Sequence, residues 1–569
     1  MTFEHDLVIR GGTIVDGSGG DPVEADVAIA GDRVVSVGAN LARGREELDA
    51  RGKLVTPGFI DVHTHYDGQV TWENTLSPSS EHGVTSVVMG NCGVGFAPIR
   101  QHQRQLAIEL MEGVEDIPGV VMAEGLPWNW ETFPEYLDAL AVRRTDIDFA
   151  AQLPHSPLRV YVMGERGAAL EPPTDDDLAA MRRLTTEAVK AGAIGVSTSR
   201  TLAHRFRDGR PAPSTRTEED ELMNLADGLR DAGKGVFQLI PDFARPAEGE
   251  MALIERLQTR SGRPVSFTLV QNDNVEGGWR TYLQGIHRAV ADGRPVRGQV
   301  FPRPIGMLFG LSLSLHPFAL NPSYKKIADL PLEERVRIMR DPAFRRALLA
   351  EQAEDTNDQL VYIAGLTDWL FPLGDPPNYT PLTSDSIRAR AELMGVDARE
   401  LLYDELLKDE GRAIIYCPRG NMDEGRLDSG SLVVREPGTL LGLGDGGAHY
   451  GMICDAGWPT FFLTRCVRDA PADRKVALPQ AVAMMSRQPA AAMGFADRGL
   501  VAPGWKADLN IIDFDALHLH GPEIRHDLPA NGRRLAQRAD GFDATIVSGQ
   551  VTYREAQATG NLPGRLIRS

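Results

Sequence analysis

The chain has 569 residues, of which 42% are hydrophobic and 24% are charged, as is ordinary for a globular protein. Its 60 basic and 79 acidic residues give a net charge of −19, which argues against nucleic-acid or anionic membrane partners. No stretch of the sequence is apolar enough to predict a membrane span. The length predicts two or more structural units, and four cysteines indicate a reducing, cytoplasmic location without a disulfide framework.

The first 56 residues predict a small β-unit. Short apolar runs alternate with turns that contain glycine or aspartate, such as the Gly11-Gly12 turn after the run 6–10. The same pattern returns in residues 496–569. We therefore expect 1–56 and 496–569 to be the two parts of one β-sandwich.

Residues 57–65 have the sequence PGFIDVHTH, with two histidines at the end of an apolar run. Side chains alternate along a strand, so His63 and His65 should project to one side, together with Asp61. Neutral imidazole is the commonest metal ligand in proteins. The segment therefore predicts half of a metal site at the carboxyl end of a buried strand, where α/β barrels keep their chemistry.

The middle of the chain alternates predicted helices and strands with short connections, which indicates βα units and a parallel sheet. Residues 57–495 are long enough for a (β/α)₈ TIM-type barrel. The excess, about 303–412, is predicted to be a helical insertion after a late strand that shapes the substrate pocket. The expected strands are 193–199, 235–240 and 264–270, and the expected helices begin at Thr174 and Thr217.

Three segments in order resemble the amidohydrolase superfamily: LVIRGGTIVDG at 7–17, the 57–65 segment, and GLVAPGWKADL at 499–509. Within it, GVTSVVMGNCG at 83–93 and GAIGVST at 192–198 are similar to the N-acyl-D-amino-acid deacylase (D-aminoacylase) branch. TGNLPGR at 559–565 matches its C-terminal signature. The resemblance implies a barrel with a β-sandwich and one or two divalent metal ions, with zinc as the expected ion.

In the superfamily, the aspartate that ends the last barrel strand binds metal and takes the proton from the attacking water. Asp445, in GLGDGGAH at 442–449, matches that position. A carboxylate beside a cation can both coordinate it and accept a proton, although Asp-Gly is also a very common turn. Cys92 matches the cysteine of the branch, and a thiolate binds zinc strongly. The alternative for Cys92 is a small buried hydrophobic residue.

The chain departs from the branch at its second metal pocket. The strands at 235–240 and 264–270 would each normally carry a histidine ligand, and here neither does. Gln238 and Gln271 lie near those places, and glutamine is a weak, neutral ligand for zinc. The sequence therefore predicts an impaired second metal pocket, and the tyrosine-bearing Y-P motif is replaced by F-P-R at 301–303.

Three further residues are candidate substrate-binding groups. His155 and His449 could orient the substrate or stabilise an oxyanion, and a supporting or structural role is the alternative for both. Arg303 could bind a substrate anion, and a solvated surface arginine is the alternative.

The leading prediction is a metal-dependent hydrolase that cleaves the C–N bond of an N-acyl amino acid or related N-acyl amide, a small-molecule substrate, through a metal-activated water. A cyclic-amide hydrolase of the hydantoinase or dihydroorotase kind is one alternative. Those enzymes use a carbamylated lysine, whereas Lys190 precedes Gly192 on a predicted helix. The other alternative is a non-catalytic barrel that binds a small molecule. A homo-oligomer is compatible with the sequence.

Overall fold

The structure is a computed structural model that describes residues 4–271, 278–366, 369–422, 427 and 433–569. Helices and strands alternate through the middle of the chain, and strands dominate both ends. This arrangement confirms the predicted mixed α/β class. None of the helices in the described ranges is both long and apolar enough to cross a membrane.

Strands from both ends of the chain share one sheet. The two ends meet where Leu509–Ile512 pairs antiparallel with Leu54–Pro57. The first strand runs through the predicted turn at Gly11-Gly12, which is instead a β-bulge between Ile9 and Gly12, and Gly11 has a φ of +61°. The strands of this sheet are β1 (His5–Ile14), β2 (Val23–Ala30), β3 (Arg33–Gly38), β4 (Gly44–Asp49), β5 (Leu54–Pro57), β18 (Leu509–Ile512), β21 (Phe542–Val547), β22 (Gln550–Arg554) and β23 (Gln557–Ala558).

The middle of the chain contains nine parallel strands, counted over the described residues, in two sheets of three and six. Most of them are short and buried, as strands covered on both faces by other elements must be. The first sheet has β6 (Phe59–Asp61), β7 (Val84–Met89) and β8 (Asp148–Ala151), and the second has β10 (Gly195–Ser199), β11 (Val236–Ile240), β12 (Val265–Thr268), β13 (Val296–Val300) and β17 (Thr439–Leu441), with the short β9 (Leu153–Pro154) beside β10.

Backbone hydrogen bonds join the two sheets on both sides. The Ile194 N–H donates to the Ala151 carbonyl at 2.9 Å, which connects β8 to β10. On the other side, the Asp445 N–H donates to His63 O at 3.1 Å, and the His65 N–H donates to Gly446 O at 2.7 Å. The segments that follow β6 and β17 therefore lie side by side.

Helices connect the parallel strands. Asp175–Ala191 begins with the predicted capping box, in which the Thr174 hydroxyl accepts from the Asp177 N–H at 3.2 Å. Glu219–Ala232 begins two residues later than predicted. The helices before the insertion are α1 (Gln69–Trp72), α2 (Arg104–Glu115), α3 (Gly119–Gly125), α4 (Phe133–Ala141), α5 (His155–Met163), α6 (Glu165–Ala168), α7 (Asp175–Ala191), α8 (Glu219–Ala232), α9 (Ala247–Ser261) and α10 (Gly278–Ala291).

The chain between β13 and β17 has its own apolar core, to which Phe318, Leu348 and Leu402 contribute. It contains an antiparallel sheet of β14 (Ile305–Phe309), β15 (Phe371–Pro372) and β16 (Ile415–Gly420), with helices α11 (Pro322–Lys325), α12 (Leu332–Met339), α13 (Pro342–Ala350), α14 (Asp358–Ala364), α15 (Ile387–Met394) and α16 (Ala398–Leu406). After β17 come α17 (Trp458–Phe461), a π-helical turn (Phe462–Arg468), α18 (Leu478–Met485), α19 (Arg487–Met493) and the hairpin of β19 (His518–Leu528) and β20 (Gly532–Asp540).

We expect buried His82 to make stability depend on pH. Its ring bonds the Thr460 hydroxyl and the Gln537 carbonyl, each at 2.8 Å, and burial lowers its pKa to about 4. In the unfolded chain the His82 ring gains a proton below about pH 6.5, whereas in the native protein it does so only near pH 4. The free energy of unfolding therefore decreases as the pH is lowered through this range. When the pH is lowered from 7 to 5, the free energy of unfolding of His82→Gln, measured by thermal melts, should decrease by about 2 kcal/mol less than that of wild type. The variant of exposed His518, His518→Gln, should follow wild type, and equal losses in all three proteins would contradict the assignment.

Candidate metal centre

His63 and His65 lie just beyond the end of β6, where the chain bends at Val62 and His63. The Thr64 N–H between them donates to Val88 O at 2.9 Å, and the Nε2 atoms of both imidazoles face the Cys92 sulfur. Both side chains are buried. Asp61 lies behind them, where its carboxylate accepts from the His63 N–H and from the Trp458 indole, and so it supports the segment.

A glutamine fixes the orientation of His63. The Gln299 Oε1 lies 2.7 Å from His63 Nδ1, and the Gln299 amide nitrogen donates to the Ser266 hydroxyl at 3.1 Å. Because the amide nitrogen is used by Ser266, the oxygen faces the ring and His63 carries its proton on Nδ1. The lone pair of Nε2 then points towards Cys92, whose Sγ lies 3.2 Å away.

His65 has the carboxyl group of Glu115 in the corresponding place, within ion-pair distance but without a hydrogen bond among the described residues. Its Nδ1 lies 3.4 Å from Oε1 of Glu115, and its Nε2 lies 3.6 Å from the Cys92 Sγ. Burial lowers the pKa of His63 to about 4 and that of His65 to about 3. Both rings are therefore neutral at pH 7, the form that binds metals.

Cys92 lies in a tight turn after β7. Gly90 and Gly93 flank it with positive φ, and a Cβ on Gly90 would lie 2.4 Å from Gln152 O. The Ser197 hydroxyl donates to Gly90 O and accepts from the Gly93 N–H at 3.1 Å. The turn thus places the thiol against both imidazoles.

Asp445 completes the cluster from the far end of the chain. Its Oδ1 lies 3.5 Å from His63 Nε2 and 3.7 Å from His65 Nε2. Leu443, Asp445 and His449 all have positive φ, an uncommon and strained backbone for residues other than glycine. The Asp445 side chain is 21% exposed, so the cluster opens to solvent on this side.

These residues fit one divalent metal ion. One ligand atom each from His63, His65 and Cys92 lies within 4.8 Å of the others, with Asp445 beside them. Two imidazole nitrogens, a sulfur and a carboxylate oxygen are a typical donor set for zinc and related ions. Burial raises the pKa of Cys92 and of Asp445, and a bound cation would favour the ionised form of both.

The predicted second pocket has no histidine from β11 or β12. Gln238 is buried on β11, and neither polar atom of its amide has a hydrogen-bond partner among the described residues. Gln271 follows β12, and its backbone N–H donates to Asn421 Oδ1 at 3.1 Å. The donor atoms that converge in the described chain thus define one compact site.

Sequence reasoning missed Glu115, the last residue of α2. Its buried carboxylate lies between two imidazoles, with Oε1 facing His65 and Oε2 lying 3.5 Å from His449 Nε2. The available signal was its place on the buried face of α2, four residues after Met111 and seven after Ile108. His204 was missed as well. Burial lowers its pKa to about 3, and the nearby rings of the cluster add to that effect.

His155 and Arg303 lie outside this cluster. His155 is fully buried and uses both ring nitrogens, at 2.8 Å from Thr198 Oγ1 and 2.7 Å from Glu221 Oε1. Arg303 is buried rather than solvated, 3.6 Å from the centre of the Tyr379 ring, and it bonds Asp455 at 2.7 Å. His449 alone of the three candidate substrate-binding residues contacts the cluster.

Residues 46–553 match the amidohydrolase family, so the chain belongs to this family. An N-acyl-D-aspartate deacylase of Alcaligenes xylosoxydans xylosoxydans is 27% identical over 582 residues, covering 99% of this chain and 95% of that protein. A D-aminoacylase of the same organism is 37% identical over 194 residues, 34% of this chain and 37% of that protein. These relatives confirm the resemblance to the D-aminoacylase-like branch, and the chain is a hydrolase of C–N bonds.

Solved structures share the fold. A D-aminoacylase variant in complex with copper chloride has a TM-score of 0.65 at 23% identity, over 100% of both chains. An N-acyl-D-glutamate deacylase from Bordetella bronchiseptica, complexed with zinc and a phosphonate inhibitor, also has a TM-score of 0.65 at 22% identity, over 99% of this chain and 100% of that one.

If Cys92 is a ligand, replacing it must weaken metal binding. We expect Cys92→Ser to lower zinc affinity by at least about 100-fold, because losing a ligand should exceed the effect of losing a supporting group. Competition with a chromophoric chelator measures this affinity. Cys466→Ser, at another buried free cysteine, is the matched control. An unchanged affinity in Cys92→Ser would mean that Cys92 only fills space.

Glu115 should act through His65 on the same quantity. We expect Glu115→Gln to lower zinc affinity by about 10- to 100-fold, since a neutral amide orients the imidazole less strongly than a carboxylate does. Glu112→Gln, one turn earlier on α2 and paired with Arg207, is the control. Equal affinity in the two variants would remove Glu115 from the metal centre.

Proposed function

We propose that this protein is a metal-dependent deacylase that hydrolyses the amide bond of an N-acyl amino acid. The observation that carries the proposal is the convergence of His63, His65, Cys92 and Asp445 in a chain of the amidohydrolase family. The names of its relatives point to substrates of the D series. A zinc ion is the expected cofactor, since zinc is present in one structural relative and suits these ligands.

A metal held by these residues would polarise the amide carbonyl and lower the pKa of a water molecule. Asp445 is placed to accept the proton of the attacking water and to return it to the leaving amine. It is more exposed than either histidine, so the substrate meets the cluster from the Asp445 side. His449 is 17% exposed on that same side and can contact the substrate.

We also infer that the parallel strands close into the expected (β/α)₈ barrel, with β8 and β9, one residue apart, as a single interrupted strand. The hydrogen bonds at Ile194, Asp445 and His65 support this closure. In such a barrel the loops after the strands form the active site, and the cluster occupies the loops after β6, β7 and β17. The chain between β13 and β17 would then be the insertion that shapes the substrate pocket.

The alternative, a cyclic-amide hydrolase, needs a carbamylated lysine, and no lysine lies at the corresponding strand. Lys190 is exposed near the end of α7, and β10 contains no lysine. A non-catalytic barrel remains as an outcome of the test. The decisive experiment is a screen of N-acyl D- and L-amino acids and anilides, with and without chelator, on protein whose metal content has been measured. Metal-dependent release of the free amine supports the proposal, whereas metal-free protein after zinc-supplemented expression would contradict it.

Asp445→Asn should leave the fold intact and lower kcat by about 10²–10⁴, because the amide cannot accept the proton of the attacking water. Steady-state kinetics on the best substrate of the screen measures this. Asp292→Asn tests an ordinary Asp-Gly turn and should behave as wild type. Near-normal turnover in Asp445→Asn would remove this residue from the mechanism.

A further inference from the structure

In the described part of the chain between β13 and β17, one buried arginine has no acidic partner. Arg335 on α12 is 8% exposed and donates from Nη1 to Leu311 O at 2.6 Å and to the Tyr324 hydroxyl at 2.7 Å. Its Nε is buried without a hydrogen-bond partner. Within the described part of the chain, no carboxylate lies within ion-pair distance of it. A buried charge that meets only neutral groups is unfavourable, which indicates a missing anion.

Two more donors surround this arginine. His316 packs edge-on against the Tyr324 ring at 4.3 Å, and its Nδ1 accepts from the Phe318 N–H, which leaves a proton on Nε2. That Nε2 is buried without a partner. Arg533, at the start of β20, is exposed and forms no ion pair with the described residues, and desolvation together with the charge of Arg335 lowers its pKa.

The nearby carboxylate of Asp116 already has hydrogen-bond partners. Asp116 attracts Arg533, but its carboxylate accepts from the Gly451 N–H at 2.9 Å and from the Ser314 hydroxyl at 3.0 Å. Two guanidinium groups and one carboxylate leave a net positive charge around the unpartnered donors. The paired N–H groups of arginine fit the two oxygens of a carboxylate, and among the small anions of metabolites only phosphate fits them as well.

This cluster adjoins the metal centre. Asp116 follows Glu115, which faces His65. The loop that carries His449 is bonded to both sides of the cluster, because Ser314 N–H donates to Gly451 O at 3.0 Å and Leu535 N–H donates to Tyr450 O at 2.7 Å. We propose that Arg335, Arg533 and His316 bind a carboxylate of the substrate. This proposal rests on the proposed deacylase function and names the part of the substrate that lies away from the metal.

The test compares substrates with and without a carboxylate on the metal-loaded enzyme. We expect Arg335→Met and Arg533→Met to raise KM for N-acyl amino acids by about 10- to 100-fold, the range for hydrogen bonds to a charged group. KM for N-acyl anilides, which lack the carboxylate, should change less than about twofold, as should kcat for both. Arg337→Met, on the exposed face of the same helix, is the matched control. Arg533→Met carries the test if circular dichroism shows that Arg335→Met is unfolded.

Calorimetric titration with glutarate separates this proposal from the function itself. We expect glutarate to bind wild type and Arg337→Met but not Arg533→Met. This result supports the carboxylate site even if no N-acyl substrate is hydrolysed. If wild type hydrolyses N-acyl amino acids but KM and glutarate binding are the same in all variants, the carboxylate site is overturned and the deacylase function stands. Equal rises in KM for acids and anilides would also overturn the site.

Discussion

Two backbone hydrogen bonds, between His63 and Asp445 and between His65 and Gly446, hold the candidate metal centre together. They join the segment after β6 to the segment after β17. The register between these two segments therefore determines whether their side chains meet. A one-residue slip in a strand turns every side chain to the opposite face. The imidazoles and the carboxylate can therefore meet only in this register, and the strained loop around Asp445 is stabilised by the same contacts.

The electrostatics of the centre follow from its burial. Gln299 bonds Nδ1 of His63, the Glu115 carboxyl group faces Nδ1 of His65, and both Nε2 atoms face Cys92. Burial also raises the pKa of Glu115 well above its usual range, together with the pKa of Cys92 and of Asp445. Three acidic groups thus crowd into one low-dielectric space, and a divalent cation is the partner that would relieve their repulsion.

The sequence predicted those parts of the fold and site that depend on local pattern. Strand alternation placed His63 and His65 together, and the order of the motifs placed Asp445 opposite them. Glu115 and Gln299 could not be inferred, since each reaches the centre through the packing of elements far apart in the chain. The hairpin of β19 and β20 was missed because residues 518–528 are mostly polar and do not alternate. The burial of Arg303 likewise depends on aromatic rings from two other segments.

X-ray absorption spectroscopy of the zinc-loaded protein tests the central claim most directly, because it identifies the atoms bound to the metal without relying on activity. The account predicts one zinc ion per chain with two imidazole nitrogens, one sulfur and oxygen in its first shell, and loss of the sulfur signal in Cys92→Ser. A shell of oxygen atoms alone, or a zinc ion whose shell is unchanged when His63 and His65 are replaced, would contradict it.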